Sequence, residues 1–354
     1  MKRIILTGGG TAGHVTPNLA LIPRLKEDGW EIHYIGTADG IERKLVEAVD
    51  GVTYHAVASG KLRRYFDVKN FTDPFRVIKG AAQAAALVRK IKPSIVFSKG
   101  GFVSVPVVYG AFMNGVPVVT HESDMTPGLA NRITTPFAKA VLCAFPEAAE
   151  LVGKKGRYAG LPIRPEILSG SREEGIKLFG FNESKPVLMV IGGSSGAVAI
   201  NKAVREALPK LTENFQVLHI CGANHISQNH EGMRDYCQRE YLHEELAHAY
   251  AMADVMISRA GASVLCELLS LRKPALLIPY PKGASRGDQI INAASFEKRG
   301  LSRVLQQENM TAESLIAHVI DTYRSRGDLI EAMEREQGVN GMENALSAIK
   351  EFAK

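Results

Sequence analysis

The chain has 354 residues, 45% of them hydrophobic and 23% charged, with a net charge of +6 at neutral pH. These values exclude a disordered chain, a collagen-like chain and a disulfide-stapled scaffold, and the length exceeds what one hydrophobic core organises, so two domains are expected. The four cysteines, Cys143, Cys221, Cys237 and Cys266, form no C-x-x-C pair, so reduced thiols in a cytoplasmic protein are expected.

The chain opens on a strand-like KRIILTG without a signal-peptide pattern. The strand runs into LTGGGTAGHVTP at residues 6–17, where Gly8 to Gly13 spell G-x-G-x-x-G. Between a strand and a helix, that spacing lets backbone approach a phosphate and aims helix N–H groups at it. A dinucleotide loop also needs an acid closing the second strand to hold a ribose hydroxyl. Here the second strand, EIHYIG, closes on Gly36, and the first acid beyond it is Asp39, three residues late. His14 would crowd a pyrophosphate, whereas a histidine at the mouth of a cleft suits a general base.

Helices are expected over 15–27 and 41–49. Residues 58–92 then hold nine basic side chains against two aspartates, a net +7, with Tyr65, Phe66, Phe71 and Phe75 among them. So local an excess implies an anionic partner. A long helix over 74–91 carries part of it. The strand SIVFS, the glycine turn SKGGFVS, a helix over 105–113 and the strand VPVVTH follow in close succession, which means parallel βαβ units. The apolar run 103–120 is broken by Pro106, Gly110, Asn114, Gly115 and Pro117, so it does not read as a membrane span. THESDMTPGLAN, residues 120–131, puts His121, Glu122, Ser123 and Asp124 at a strand end, where they are expected to face the cleft.

After GLPIRPEI, whose prolines at 162 and 165 mark a hinge, the pattern restarts. KPVLMVIGGSSGAVAINKAV is again strand, glycine turn and helix, with Ser194 suited both to phosphate and to N-capping. The strands in FQVLHICG, ADVMISRAGAS and PALLIPY each end in a loop. Glu267 lies inside the helix begun by SRAGAS, where a carboxylate can accept from two ribose hydroxyls. Asp288, Gln289 and Asn292 bunch at another helix start and suit sugar hydroxyls. A last helix over 342–352 is expected to pack back on the first half. The fold class is therefore α/β, with two Rossmann-like doubly wound domains facing a cleft. Their bounds are 1–162 plus 340–354, and 163–339. No D-x-D, H-E-x-x-H or P-loop lysine motif occurs, so no metal site is expected, and a departing phosphate would be met by helix dipoles.

GGGTAGHVTP, GGFVS, HESDMTPGLAN, GLPIRPE, GGSSGA, SRAGAS with Glu267, and DQIINA occur in that order over nearly the whole chain. This set resembles the MurG family of peptidoglycan N-acetylglucosaminyltransferases, which have the GT-B fold. The resemblance implies inverting transfer of GlcNAc from UDP-GlcNAc to the C4 hydroxyl of MurNAc in lipid I, giving lipid II, with no metal or other cofactor. It assigns the acceptor to the N-terminal half, with Thr11, Ala12, Gly13 and His14, and the nucleotide sugar to the C-terminal half. By position Glu267 matches the ribose ligand, and Ser194 and Arg164 match nucleotide or diphosphate contacts. Arg259, Ala260, Gly261, Ala262 and Ser263 lie close by, and Gln289 and Asn292 fall in the sugar-binding stretch. His14, Glu122 and Asp124 are the three candidate bases. Many members read H-E-Q-N where this chain has Ser123-Asp124, and paired glutamines or His-Gln where it has Asp288-Gln289. The expected partners are UDP-GlcNAc, lipid I and the anionic cytoplasmic face of the membrane, met peripherally through residues 58–92, with no nucleic acid. The competing readings are another GT-B transferase with a lipid acceptor such as a diacylglycerol, a UDP-GlcNAc 2-epimerase, and a catalytically silent nucleotide-sugar sensor.

Overall fold

Two runs of alternating strand and helix build two parallel sheets. The computed structural model describes residues 2–60, 69–193, 196–282, 287–336 and 340–354, with 69–75 described for backbone alone. Ser194 falls outside the described residues, as do Lys61, Arg63, Arg64, Tyr65 and Phe66 of the basic segment. The chain divides into two units, Met1–Arg164 with Val339–Lys354, and Pro165–Gly338.

In the first unit the strands are β1 (Arg3–Thr7), β2 (Glu31–Gly36), β3 (Val52–Ala56), β4 (Ile95–Ser98), β5 (Val118–Glu122), β6 (Ala140–Cys143) and β7 (Gly156–Tyr158). They pair in parallel in the order β3-β2-β1-β4-β5-β6-β7. Between them run α1 (Thr16–Glu27), α2 (Ile41–Glu47), α3 (Lys69–Ile91), α4 (Ser104–Met113) and α5 (Leu129–Thr134). β1 is covered on both faces, which is why Ile4, Ile5 and Leu6 run apolar without interruption. Ile4 and Leu6 face one side and pack with Leu21 and Leu25 of α1. Ile5 faces the other side, with Ala84 and Val88 of α3 and Val107 and Ala111 of α4.

The last helix, Gly341–Phe352, adds Ala345, Leu346, Ala348 and Ile349 to the α1 side of this core. Burying Leu346 and Ile349 contributes about 1.5–3 kcal/mol each. The bidentate Arg157–Glu351 pair (2.6 and 2.9 Å) and the Asn344 amide donating to Ala159 O (3.1 Å) fix the helix in register.

The second unit repeats the scheme with β8 (Val187–Ile191), β9 (Gln216–Ile220), β10 (Tyr236–Arg239), β11 (Val255–Ser258), β12 (Ala275–Leu277) and β13 (Arg303–Val304). Their order is β10-β9-β8-β11-β12-β13, again parallel. In both sheets the strand order reverses beside the first strand, between β1 and β4 and between β8 and β11. At such a point the outgoing loops part to opposite faces and leave a crevice beyond the strand ends, where ligands bind in open α/β sheets. The glycine-rich loops after β1 and β8 lie at these two crevices.

Candidate functional site

In the first unit the loop 8–14 closes as a 3-10 turn, Ala12–His14, with the His14 N–H donating to Thr11 O (3.1 Å). Thr11, Ala12 and Gly13 are exposed and His14 is half-buried, so the tip of the loop is open to a ligand. Its base is filled by protein. Glu42 of α2 has no exposed surface. Its Oε2 accepts the Gly10 N–H (3.1 Å), and its Oε1 accepts the Thr37 N–H (3.0 Å) and hydroxyl (2.5 Å). A methyl group on Gly9 would stand 2.5 Å from Glu42 Cδ, and one on Gly10, where φ is +85°, would stand 2.5 Å from the Phe102 ring. The glycines at 9 and 10 are thus required by close packing from behind. The Glu42 carboxylate is thus turned inward onto the loop and not outward to a ligand. Sequence reading passed over Glu42 as an ordinary helix glutamate. Its flanking glycines at 36 and 40, whose missing side chains also make room for it, were the available signal.

The turn after β5 departs from expectation. His121, Glu122 and Ser123 are buried and Asp124 alone of the four is half-exposed, so the group does not face the crevice as a whole. β5 runs on through Glu122, which places that carboxylate under the turn. It accepts the Asp124 N–H (3.0 Å), the Gly128 N–H (2.9 Å) and the Asn131 amide (2.8 Å). Three N–H donors on a buried carboxylate fix the turn that presents Asp124. His121 Nε2 donates to Gly160 O (2.8 Å), and burial, followed by the Lys99 charge, holds it well below its usual range and therefore neutral.

In the second unit the Gly196 N–H donates to Gly193 O (2.9 Å), closing the loop after β8. Behind it Asn201 donates to Cys221 O (2.9 Å) and its Oδ1 meets His219 Nε2 (3.0 Å), while His219 Nδ1 meets the Tyr236 hydroxyl (3.0 Å). With Asn201 Oδ1 able only to accept, the imidazole carries its proton on Nε2 and accepts from tyrosine on Nδ1. Burial pushes His219 down to about 3.

The helix Ala262–Leu271 follows β11 and starts at Gly261 with no side-chain cap, so its first N–H groups point beyond the strand end. Glu267 is half-buried on this helix and accepts the hydroxyl of buried Tyr250 at Oε2 (2.8 Å), which orients the carboxylate. Arg259 is turned inward. It is buried, donates to Ile278 O (3.0 Å), Pro279 O (3.2 Å) and Gln307 Oε1 (2.7 Å), and lies 4.0 Å over the Tyr280 ring. It therefore shapes the loop after β12. Gln289 accepts the Tyr280 N–H (3.2 Å) on the same loop. Asn292 is buried and donates to Ala260 O (3.0 Å), while its Oδ1 has no hydrogen-bond partner among the described residues. Arg164 is exposed and is the last residue of the first unit before the crossing. Among the described residues no three His, Cys, Asp or Glu side chains are grouped to hold a metal ion.

Two doubly wound parallel sheets, each with a glycine loop at its switch point, are the architecture of the GT-B glycosyltransferases. The chain belongs to glycosyltransferase family 28, whose N-terminal domain matches residues 4–143 and whose C-terminal domain matches residues 187–351. It is 52% identical over 355 residues to a protein of Clostridium botulinum (strain Hall), with all of both chains covered. It is 52% identical over 354 residues to one of Geobacillus thermodenitrificans, covering 100% of this chain and 99% of the relative. Both relatives are named UDP-N-acetylglucosamine--N-acetylmuramyl-(pentapeptide) pyrophosphoryl-undecaprenol N-acetylglucosamine transferase. The fold is similar to a crystal structure of Acinetobacter baumannii MurG, with a TM-score of 0.80 at 22% identity, covering 99% and 100% of the two chains. It is also similar to a UDP-N-acetylglucosamine 2-epimerase structure from Listeria monocytogenes, with a TM-score of 0.70 at 12% identity, covering 99% and 96%.

Proposed function

We propose that this chain transfers N-acetylglucosamine from UDP-N-acetylglucosamine to the C4 hydroxyl of the N-acetylmuramyl residue in undecaprenyl-pyrophosphoryl-MurNAc-pentapeptide, giving lipid II with inversion. The carrying observation is the 52% identity, over the full length, to relatives named for this transfer. The epimerase likeness is one of fold, at 12% identity.

In the reaction the acceptor oxygen attacks the anomeric carbon as the bond from that carbon to UDP breaks. UDP leaves with the bonding pair, and the hydroxyl proton passes to a base on the acceptor side. His14, on the open end of its loop, takes that proton. Asp124 binds the acceptor, and Glu122, already committed to three N–H donors, positions Asp124. In the second unit the uncapped helix start at Gly261 meets the charge growing on the diphosphate. Glu267 takes the ribose, and Gln289 and Asn292 take the sugar. The unfilled acceptor on Asn292 supports this last role. Helix starts in place of a D-x-D metal motif support a reaction that runs without a resident metal.

The enzyme works as a peripheral protein at the cytoplasmic face of the membrane. On α3, Ile78 is 68% exposed beside exposed Arg76 and Lys79, and on the adjoining α4 Phe112 and Met113 are 56% and 69% exposed. Apolar side chains flanked by cations suit an anionic bilayer. Among the described residues no helix is long and apolar enough to cross a membrane. The test is transfer of radiolabel from UDP-[14C]GlcNAc to a lipid I analogue, with and without EDTA. Label is expected in the product under both conditions. No label without EDTA overturns the transfer, and loss of label with EDTA overturns the metal-free reading.

A further inference from the structure

Under the loops of the first unit lies a lysine with no exposed surface. Lys99 follows β4 directly, and its backbone N–H donates to Thr7 O (2.8 Å), so it stands at the switch point between β1 and β4. Its Nζ donates to Ser123 Oγ in the turn after β5. A methyl group on Gly8 would stand 2.9 Å from Lys99 Cβ and 2.5 Å from His14 O. One buried side chain thus reaches from the loop that ends in His14 to the turn that carries Asp124.

Its titratable neighbours are His121 on β5 and Cys143 on β6; Glu122 and Asp124 flank its partner Ser123 in sequence, and His14 lies on the loop that packs against its Cβ. The Lys99 charge adds to burial in lowering His121, and it opposes the rise of the Cys143 thiol. Burying a lysine costs free energy whether its amine is held charged or gives up its proton, a cost that a leucine or methionine of similar length would avoid. Retaining a lysine there therefore calls for a role that an apolar side chain cannot fill.

We propose that Lys99 is a positioning residue of the transfer reaction. It locks the Ser123 turn and sets a positive charge beneath the glycine loop and the turn that present His14 and Asp124, which favours the unprotonated form of the base. The role rests on the transfer reaction proposed above.

The test is the pH profile of kcat/KM for the acceptor in wild type, Lys99→Met and Ser123→Ala, with circular dichroism and thermal melting to establish folding. Lys99→Met is expected to move the acid limb up by about one pH unit, the lower end of what a neighbouring charge does, with KM for UDP-GlcNAc unchanged. Ser123→Ala keeps the charge and is expected to leave the limb in place while kcat falls severalfold. A uniform loss of rate in Lys99→Met with the limb unmoved marks a merely structural lysine and overturns the charge role. Full kcat in Ser123→Ala overturns the positioning role, whether or not Lys99→Met folds. Absence of transfer by the wild type overturns the transfer reading itself, and the Lys99 role with it. An active wild type with an unmoved limb overturns the Lys99 role alone.

Discussion

Glu42→Gln changes one atom and almost no volume, yet it reverses a hydrogen bond beneath the loop that carries His14. Two donors, the Thr37 N–H and hydroxyl, converge on Oε1, and the Gly10 N–H alone meets Oε2. Glutamine keeps its oxygen where two donors converge and so turns its NH2 toward another N–H. The charge-assisted bond to Gly10, worth about 1.5–3 kcal/mol, is lost, and the two bonds to Thr37 weaken to neutral strength. Two effects oppose this: an amide is cheaper to bury than a carboxylate, and the Gly10 backbone is exposed enough to take a water instead. The net loss is about 2 kcal/mol, or about 4–8 °C in the melting of a unit this size. Calorimetry of the full chain measures the shift, and steady-state transfer kinetics measure its effect on the reaction. Because the loop carries the base proposed for the acceptor hydroxyl, kcat should fall while KM for UDP-GlcNAc holds. A melting temperature and a kcat both indistinguishable from wild type would refute the view that Glu42 holds the loop.

His219 makes the stability of the second unit depend on pH. Its folded-state value of about 3 lies below the ordinary histidine value, so from about pH 6.5 downward the unfolded chain takes up a proton that the folded chain refuses. Stability falls with falling pH by about 1.4 kcal/mol per unit from this group. His219→Gln should flatten the dependence of the second unit's melting on pH between about 6.5 and 4.5, and equal slopes in the two proteins would contradict it. At the membrane, Arg76→Glu with Lys79→Glu should weaken sedimentation with anionic vesicles at least about tenfold, at about 1 kcal/mol per basic residue removed. Unchanged sedimentation would remove α3 from the docking surface.

The strand, glycine and helix units around the two crevices were legible because each carries its own punctuation. A β-branched run stops at a glycine cluster, and a helical period begins. β3, β7, β10 and β13 carry less of it. They are the edge strands of the two sheets, such as VTYHA and RV, only partly buried and lacking the continuous apolar run of β1 or β8. Within the sites, the loops that carry the candidate residues were legible, but the burial of their side chains was not. Glu122 and Arg259 looked like groups aimed at a ligand, and the structure turns both inward onto backbone and side-chain amides. Glu42 and Lys99 were invisible for the opposite reason. A charged side chain is ordinarily solvated, and only the third dimension, which brings glycines from distant loops against it, reveals one that is not.

The return of the chain to the first unit at Val339 has a consequence for synthesis. Residues Pro165–Gly338 form a complete second unit before the helix Gly341–Phe352 exists. At ordinary elongation rates the face of the first sheet bearing Ile4, Leu6, Leu21 and Leu25 waits about 10–40 s for its cover. The half of the molecule made first is therefore the last to finish folding. A chain cut off before Gly341 has an N-terminal half, and not a C-terminal half, that is open to chaperones and proteases.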